Sequence, residues 1–281
     1  MDSNKCASQA RPSLCLFVLL ALLQGTTAAR ASSIAPSVKP IRAVKIILVG
    51  DSTTAVNSGW GGSFCALHVT FLAACVNMAR NGRSTRSYRE EGSWKLALAE
   101  ARAREFSDTW ILIQFGHNDQ PGKPGRSTEL ATEFPANLRG YVAEALAAGA
   151  HPVLLTPLTR RQFAAGQLQN DLAPWAAAIV KVAAETHVPL VDLNALSAKA
   201  VQEMGPSAAD KLAQMPPSPE VAAAAASGTT IPAQTGVAAG KANIAFDYTH
   251  LGRDGADFFA KMVTDELAVQ VPALRPYLVL E

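Results

Sequence analysis

The 281-residue sequence lacks the residue spacings that usually hold a nucleotide or a zinc ion. No Gly-x-Gly-x-x-Gly segment follows an apolar run, and no Walker-type phosphate loop is present. The histidines are scattered, and no His-x-x-x-His or Cys-x-x-Cys pair is available to close a zinc site. We therefore expect a protein that needs neither a metal ion nor an organic cofactor.

A hydrophobic run long enough to cross a membrane is also missing, since a span needs about 20 residues. The apolar run from Leu14 to Leu23 is only about half that length. Lys5 and Arg11 precede this run, and Ala29-Arg30-Ala31 follows it as a cleavage site of the Ala-x-Ala type. The pattern is typical of a signal peptide over residues 1–31. We expect the mature protein to be secreted or periplasmic, without a membrane span.

The mature chain has no excess of charge of either sign. Removing the leader takes three basic residues and one acidic residue from totals of 25 and 23, which leaves 22 of each. The net charge of +2 on the whole chain therefore belongs to the leader. Nucleic-acid-binding proteins usually carry a basic excess, so we expect no nucleic-acid partner. We also expect the mature protein to be a monomer.

Cysteine is scarce as well, because only Cys65 and Cys75 remain once the leader is removed. On one continuous helix these two residues would lie about 15 Å apart, at about 1.5 Å per residue. That separation is beyond the reach of a disulfide. A disulfide therefore requires a helix to end between them, and two buried free thiols fit the sequence equally well.

What the sequence does contain is a regular alternation of short apolar runs and longer helical segments. The predicted strands are Val44–Val49, Cys75–Ala79, Thr109–Phe115, Val153–Thr156 and Leu190–Asp192. The predicted helices include Ser63–Phe71, Ser93–Phe106, Thr128–Ala148, Trp175–Thr186, one after Asn194 and Arg253–Val269. Such alternation is typical of βαβ units, with helices on both faces of a parallel sheet. We expect a three-layer α/β/α sandwich with a central parallel sheet of about five strands.

One segment departs from this pattern. Residues 205–240 are rich in alanine and proline, and we expect them to form an insertion or lid within a single domain over residues 32–281. A short alanine helix is predicted at Val221–Ala226.

Polar motifs follow three of the predicted strands. They are Gly50-Asp51-Ser52, Asn81-Gly82-Arg83-Ser84 and Gly116-His117-Asn118-Asp119, and a fourth motif, Asp247-Tyr248-Thr249-His250, precedes the last helix. In open α/β sheets, ligands bind outside the carboxyl ends of the strands. We therefore expect the four motifs to form one site at that edge.

Together these motifs supply the groups that acyl transfer needs. Ser52 is the candidate nucleophile, His250 the candidate general base, and Asp247 the residue that would orient the imidazole. The backbone N–H groups of Ser52 and Gly82 and the side-chain amide of Asn118 are candidate donors to an oxyanion. Each motif also has an ordinary explanation as a turn or loop cap. Their joint occurrence favours the catalytic interpretation.

In this order the four motifs resemble the conserved blocks of the SGNH (GDSL-like) hydrolases. The resemblance covers about Lys45 to Phe259. The full sequences of the four blocks are similar to those of the rhamnogalacturonan acetylesterases. These blocks are Gly50-Asp51-Ser52-Thr53, Asn81–Tyr88, Phe115–Asp119 and Asp247-x-Thr249-His250.

This resemblance implies a flavodoxin-like sheet and an exported serine esterase. Its implied activity is removal of O-acetyl groups from rhamnogalacturonan-type pectin through an acyl-enzyme. In that family the matching residues are the nucleophile, Ser52, and the oxyanion donors, Gly82 and Asn118. Asp247 and His250 match the acid and the base of that family, which agrees with the roles assigned above from the chemistry of the residues alone.

The loop after the second predicted strand suggests how an anionic glycan would bind. Arginine binds carboxylates through two parallel hydrogen bonds, and tyrosine can flank a sugar ring. Arg83, Arg86 and Tyr88 are therefore the predicted substrate-binding residues, and Arg160 and Arg161 would extend the same surface. In the alternative, the arginines pair with neighbouring acidic residues on a solvated surface.

Other functions remain open at this point. One is a GDSL lipase or thioesterase that acts on longer acyl chains, and another is an acetylxylan-type esterase. A third, of a different class, is a non-catalytic carbohydrate-binding protein. The candidate catalytic loops hold no cluster of large apolar residues, which favours acetyl over long acyl groups.

Overall fold

The computed structural model describes residues 43–103, 105–232 and 245–280. The predicted signal peptide, residues 1–31, lies outside these ranges, as does the end of the predicted insertion, residues 233–240. Within them, no helix combines the length and the apolar character that crossing a membrane requires.

A five-stranded parallel sheet forms the centre of the fold. In chain order the strands are β1 Val44–Gly50, β2 Ala73–Asn77, β3 Thr109–Gln114, β4 His151–Leu155, β5 Phe163–Ala164, β6 Gln167–Leu168 and β7 Leu190–Val191. The central sheet has the order β2-β1-β3-β4-β7, and each neighbouring pair is parallel. Strands β5 and β6 form a separate antiparallel hairpin, which the sequence analysis did not predict.

The helices connect the strands and flank the sheet. They are α1 Gly61–Leu67, α2 Ser87–Glu90, α3 Ser93–Ala101, α4 Glu133–Ala147, α5 Ala173–Thr186, α6 Leu193–Met204, α7 Pro206–Ala209, α8 Pro219–Ala226 and α9 Arg253–Gln270. Two 3₁₀ helices cover Asp210–Leu212 and Pro272–Tyr277.

Side chains of β1 alternate between two hydrophobic cores because successive residues of a strand point to opposite faces of the sheet. Ile46 and Leu48 pack with residues of α1, α6 and α9 on one face. Ile47 and Val49 pack with residues of α3, α4 and α5 on the other. The prediction of three α/β/α layers around a parallel sheet is confirmed.

Several predicted boundaries were wrong, among them the end of α1 at Leu67 rather than Phe71 and the end of α3 at Ala101 rather than Phe106. For two others a polar side chain explains the difference. Strand β2 ends at Asn77 rather than Ala79, because Asn77 Oδ1 accepts a hydrogen bond from the Ala79 N–H at 3.0 Å and turns the chain. Helix α4 begins at Glu133 rather than near Thr128. The Thr128 hydroxyl instead donates to the Asp119 carboxylate at 3.1 Å.

Cys65 and Cys75 form a disulfide, with their Cα atoms 5.3 Å apart. Helix α1 ends at Leu67 and β2 begins at Ala73, so a helix does end between the two cysteines. Of the two possibilities that the sequence left open, the structure contains the disulfide.

The described part of the predicted insertion, residues 205–232, is largely helical. Helix α8 covers the predicted alanine helix. The segment also packs on the chain just after the fourth motif, where the Gly252 N–H donates to the Leu212 carbonyl at 2.9 Å and Ala213 forms an antiparallel bridge with Leu251. This part of the insertion is therefore joined to the loop that carries His250.

Candidate active site

Ser52 lies at the carboxyl edge of the sheet, two residues beyond the end of β1. A Cβ atom on Gly50 would lie 2.7 Å from the Gln114 carbonyl oxygen, so the close approach of β1 to β3 requires glycine there. Asp51 then turns the chain, since its Oδ1 accepts hydrogen bonds from the Thr53 N–H at 2.9 Å and the Thr53 hydroxyl at 2.8 Å. This turn leaves Ser52 with 5% of its surface exposed.

The side chains of Ser52, His250 and Asp247 form a hydrogen-bonded chain. His250 Nε2 lies 3.0 Å from Ser52 Oγ, and His250 Nδ1 lies 2.7 Å from Asp247 Oδ2. The other carboxylate oxygen, Asp247 Oδ1, accepts the N–H groups of Thr249 and His250, both at 2.7 Å. The predicted nucleophile, base and acid, although they are far apart in the sequence, therefore meet in the order that acyl transfer requires.

The protonation state of Asp247 fixes the direction of these hydrogen bonds. Burial raises the pKa of the Asp247 carboxyl, but the hydrogen bonds from His250 and Thr249 outweigh it and hold that pKa at about 2. An ionised carboxylate can only accept hydrogen bonds. His250 Nδ1 must then carry a proton, so in the neutral form of the imidazole Nε2 is the nitrogen that accepts the Ser52 hydroxyl.

Ser58 joins the nucleophile loop to the histidine loop. Its hydroxyl donates to the Ser52 carbonyl at 2.8 Å, and its carbonyl accepts the Leu251 N–H at 2.9 Å. The sequence analysis missed this residue, because a serine in an Asn-Ser-Gly segment is typical of any turn.

The three candidate oxyanion donors come from three different loops. Among the described residues, the backbone N–H groups of Ser52 and Gly82 have no acceptor. Gly82 has φ of +78°, a conformation that favours glycine. Asn118 is 7% exposed, and its Nδ2 donates to the Arg83 carbonyl at 3.0 Å.

Arg126 is a second residue that the sequence analysis missed. Its Nη1 donates to the Gly82 carbonyl and to Asn118 Oδ1, both at 3.4 Å. The second contact turns the Asn118 amide so that its oxygen faces Arg126 and its nitrogen faces away. Arg126 thereby connects two of the three loops that carry candidate oxyanion donors, those of Gly82 and Asn118.

Two further buried acids support these loops. Asp51 Oδ2 lies 3.5 Å from His117 Nδ1. Burial lowers the pKa of His117 by more than the charge of Asp51 raises it, so the imidazole is neutral near pH 7. Asp119 Oδ1 accepts the Thr85 N–H at 3.0 Å and the Thr85 hydroxyl at 2.5 Å. Burial raises the pKa of Asp119 to about 7, against the opposing effect of these hydrogen bonds.

The predicted substrate-binding arginines are both paired with carboxylates. Arg83 Nε donates to Glu91 at 2.8 Å, and Arg86 makes a two-pronged contact with Glu133, whose Nε–Oε1 distance is 2.6 Å. Each arginine still has about a third of its side chain exposed. Arg83 therefore lies next to Gly82 at the rim of the site, but the paired carboxylates of Glu91 and Glu133 partly neutralise the positive charge of this loop.

Two residues of the predicted glycan surface are fully buried, and the predictions for them were wrong. Tyr88 is 0% exposed, its hydroxyl donates to the Met78 carbonyl at 2.8 Å, and its ring packs against Phe115. Arg161 is also 0% exposed, so it cannot meet a polysaccharide. Only its neighbour Arg160 reaches the surface, where it pairs with Asp171.

No group of three or more histidine, cysteine, aspartate or glutamate side chains is arranged to hold a metal ion in the ranges that the structure covers.

Comparison with known proteins places this chain in a family. Residues 48–214 match the model of the GDSL-like Lipase/Acylhydrolase family. The chain is 36% identical over 166 residues to "Probable rhamnogalacturonan acetylesterase YesY" of Bacillus subtilis (strain 168), covering 57% of this chain and 75% of YesY. It is 34% identical over 177 residues to "Rhamnogalacturonan acetylesterase RhgT" of the same organism, covering 60% of this chain and 73% of RhgT.

Among solved structures, the fold is similar to that of YxiM from Bacillus subtilis, with a TM-score of 0.61 and 24% identity. The match covers 82% of this chain and 58% of that one, so this chain spans little more than half of YxiM. The chain belongs to the GDSL-like lipase/acylhydrolase family and is a carboxylic ester hydrolase.

Proposed function

We propose that this protein is a carbohydrate acetylesterase that removes O-acetyl groups from rhamnogalacturonan-type pectin. The observation that carries the proposal is the hydrogen-bonded chain from Ser52 through His250 to Asp247. The choice of substrate is supported by two relatives that are about one-third identical, of which RhgT is named a rhamnogalacturonan acetylesterase and YesY a probable one.

In the proposed mechanism Ser52 Oγ attacks the acetyl carbonyl carbon while its proton passes to His250 Nε2. Asp247 keeps the imidazole oriented and stabilises the imidazolium. The negative charge on the carbonyl oxygen is stabilised by the N–H groups of Ser52 and Gly82 and by the Asn118 amide. The tetrahedral intermediate collapses, the sugar oxygen leaves with the proton from His250, and an acetyl group remains on Ser52.

The second half of the reaction uses the same groups in reverse. A water molecule gives a proton to His250 Nε2 and attacks the acetyl carbonyl carbon. The new tetrahedral intermediate expels Ser52 Oγ, which recovers its proton from His250. The products are acetate and free enzyme, and no cofactor enters the balance.

The rim beside the oxyanion loop supports a polar substrate. An open depression of about 570 Å³ adjoins Gly82, and it is lined by Asn81, Gly82, Arg83, Ser87, Glu90, Glu91 and Arg126. This lining contains no aliphatic or aromatic side chain, so it offers hydrogen bonds to sugar hydroxyls but no large apolar side chain for a long acyl tail to pack against.

The decisive experiment measures acetate release from acetylated rhamnogalacturonan oligosaccharides by wild type and by Ser52→Ala. We expect wild type to release acetate and Ser52→Ala to lose roughly 10⁴–10⁶-fold in kcat, because members of such a triad act as a unit. Ser63→Ala is a matched control, since the Ser63 hydroxyl bonds to Asp257 and belongs to α1. Undiminished acetate release by Ser52→Ala would contradict the assignment of the nucleophile.

Substrate panels separate the proposal from its alternatives. We expect p-nitrophenyl acetate to be hydrolysed faster than the octanoate ester, and acetylated rhamnogalacturonan faster than acetylated xylan. A preference for octanoate would favour a lipase or thioesterase. Equal rates on xylan and pectin would support the acetylesterase activity but contradict the assignment of pectin as the substrate.

As a further part of the proposal, the enzyme acts outside the cytoplasm, consistent with the leader-like residues 1–31.

A further inference from the structure

The segment Asp247–His250 carries two of the proposed catalytic residues, yet it belongs to no helix or strand. Its geometry must therefore be fixed by side chains rather than by a regular backbone ladder. On one side the Asp247 carboxylate takes up the N–H groups of Thr249 and His250. The carbonyl groups of the segment need donors from elsewhere.

A single residue, Arg161, supplies donors to all four of these carbonyl groups. Its Nη2 donates to the Asp247 carbonyl at 2.9 Å and to the His250 carbonyl at 3.0 Å. Its Nη1 donates to the Thr249 carbonyl at 3.4 Å, and its backbone N–H donates to the Tyr248 carbonyl at 2.9 Å. One side chain and its own peptide group thus hold the whole turn.

Arg161 is itself fixed in place. It follows β4 in a loop that is held from both sides, because the Thr159 N–H donates to Ser197 Oγ at 3.1 Å and the Phe163 N–H donates to Thr230 Oγ1 at 2.9 Å. Its guanidinium is fully buried. Burial lowers its pKa to about 10, while the carboxylates of Asp247 and Asp210 act in the opposite direction, so it remains charged at neutral pH.

We propose that Arg161 is a positioning residue that sets the distance between His250 Nε2 and Ser52 Oγ. It cannot touch the substrate, because it has no exposed surface. Its effect must pass through the four carbonyl groups to the imidazole. This inference rests on the proposed roles of Ser52 and His250 in ester hydrolysis.

The planar shape of the guanidinium is essential to this role. It presents five N–H donors in a fixed fork, whereas a lysine ammonium presents three donors from a single nitrogen. Lysine can keep the charge but cannot reach the Asp247, Thr249 and His250 carbonyls together. Loss of these contacts lets the imidazole move, and a misplacement of about 1 Å can reduce turnover by about 10²-fold.

The test compares Arg161→Lys and Arg161→Ala with wild type on p-nitrophenyl acetate, a substrate too small to reach beyond the reacting groups. We expect kcat per folded molecule to fall by about 10²-fold in both variants, with KM within twofold of wild type. The folded fraction is measured by near-UV circular dichroism and thermal melting. Arg139→Ala, which removes an exposed arginine paired with Glu185, is the control and should keep wild-type kcat.

Chemical rescue separates positioning from a general loss of stability. Arg161→Ala leaves a buried space of guanidinium shape, so ethylguanidinium should raise the kcat of this variant by at least about tenfold at constant folded fraction. This increase corresponds to a lowering of the activation free energy by about 1.4 kcal/mol. Neutral ethylurea at the same concentration should not. If Arg161→Ala does not fold, Arg161→Lys alone decides the question through its kcat and KM.

Failure of this inference can be told apart from failure of the proposed function. If Ser52→Ala retains turnover, the proposed ester hydrolysis at Ser52 is wrong, and the role of Arg161 is overturned with it. If Ser52→Ala is inactive but folded Arg161→Lys keeps wild-type kcat, only the positioning role of Arg161 is overturned. An increase in KM without a loss of kcat would also overturn it, because a buried residue that acts through His250 has no means of weakening binding alone.

Discussion

The side-chain amide of Asn118 donates a hydrogen bond to the backbone carbonyl of Arg83 at 3.0 Å. This contact joins the loop after β3 to the loop after β2, so two of the proposed oxyanion donors are held relative to each other. An amide nitrogen carries two N–H groups, and the contact with Arg83 uses one of them. The second N–H is left to stabilise the oxyanion.

Replacement of Asn118 by alanine should therefore affect the chemical step. We expect Asn118→Ala to lose about 10²–10³-fold in kcat, the usual effect of removing one oxyanion donor, with little change in KM. Steady-state kinetics with p-nitrophenyl acetate measure both quantities. An increase in KM alone would show that Asn118 positions the substrate instead.

Tyr88 provides a test of a residue that resembles a substrate-binding group in the sequence but is buried in the structure. Tyr88→Phe removes the hydrogen bond to the Met78 carbonyl and should lower the free energy of unfolding by about 0.5–1.5 kcal/mol. KM for acetylated rhamnogalacturonan should stay unchanged. Tyr277→Phe is a control, since no described residue accepts a hydrogen bond from the Tyr277 hydroxyl. A several-fold rise in KM for Tyr88→Phe would instead support the predicted role of Tyr88 in substrate binding.

The raised pKa of Asp119 predicts a pH dependence of stability. Its ordinary value is 3.8 and its folded value is about 7, so the folded state binds this proton more tightly than the unfolded state. The contribution of Asp119 to stability is therefore fully present below about pH 4 and is lost as the pH rises towards 7. Asp119→Asn keeps an oxygen that can accept from Thr85 and Thr128 but cannot titrate.

Urea unfolding between pH 4.5 and 7.5 measures this effect. The difference in unfolding free energy between Asp119→Asn and wild type should grow in favour of the variant as the pH rises. Asp265→Asn on the exposed part of α9 serves as the control and should follow wild type across the range. A difference that stays constant with pH would show that folding does not raise the pKa of the Asp119 carboxyl.

The disulfide between Cys65 and Cys75 should stabilise the fold even though the bridge is short in sequence. The two cysteines are ten residues apart in the sequence. Closing a loop of this length restricts the unfolded chain and is expected to raise the free energy of unfolding by about 3 kcal/mol. We expect a reducing agent to lower the unfolding midpoint of wild type in urea. The double variant Cys65→Ser/Cys75→Ser should resemble the reduced protein and be insensitive to the reagent. Identical midpoints for oxidised and reduced wild type would contradict this expectation.

Much of the fold could be predicted because the sheet has a strong local signature. The run Val44–Val49 is apolar except for Lys45 and stops at a glycine, which is typical of a buried parallel strand. Parallel strands also place their carboxyl ends at one edge, so motifs after separate strands could be assigned to one site. Ser52, Asp247 and His250 do meet there.

The residues that sequence reasoning missed or misplaced are those whose roles depend on tertiary contacts. Arg161 lies beside Arg160 in an ordinary polar loop, and no local pattern shows that one is buried and the other reaches the surface. Tyr88 stands among arginines and serines, yet its ring packs on Phe115 in the core. Such assignments need the positions of partners that are distant in the sequence.

The hydrogen bond between Ser52 and His250 joins residues 198 positions apart, one after the first strand and the other just before the last long helix. Helix α9 packs on the sheet through residues of the same core as β1. A chain in which the sheet has formed but α9 has not docked would carry the nucleophile without its base. Recovery of esterase activity during refolding therefore reports the docking of the C-terminal helix, and it should lag behind signals of sheet formation.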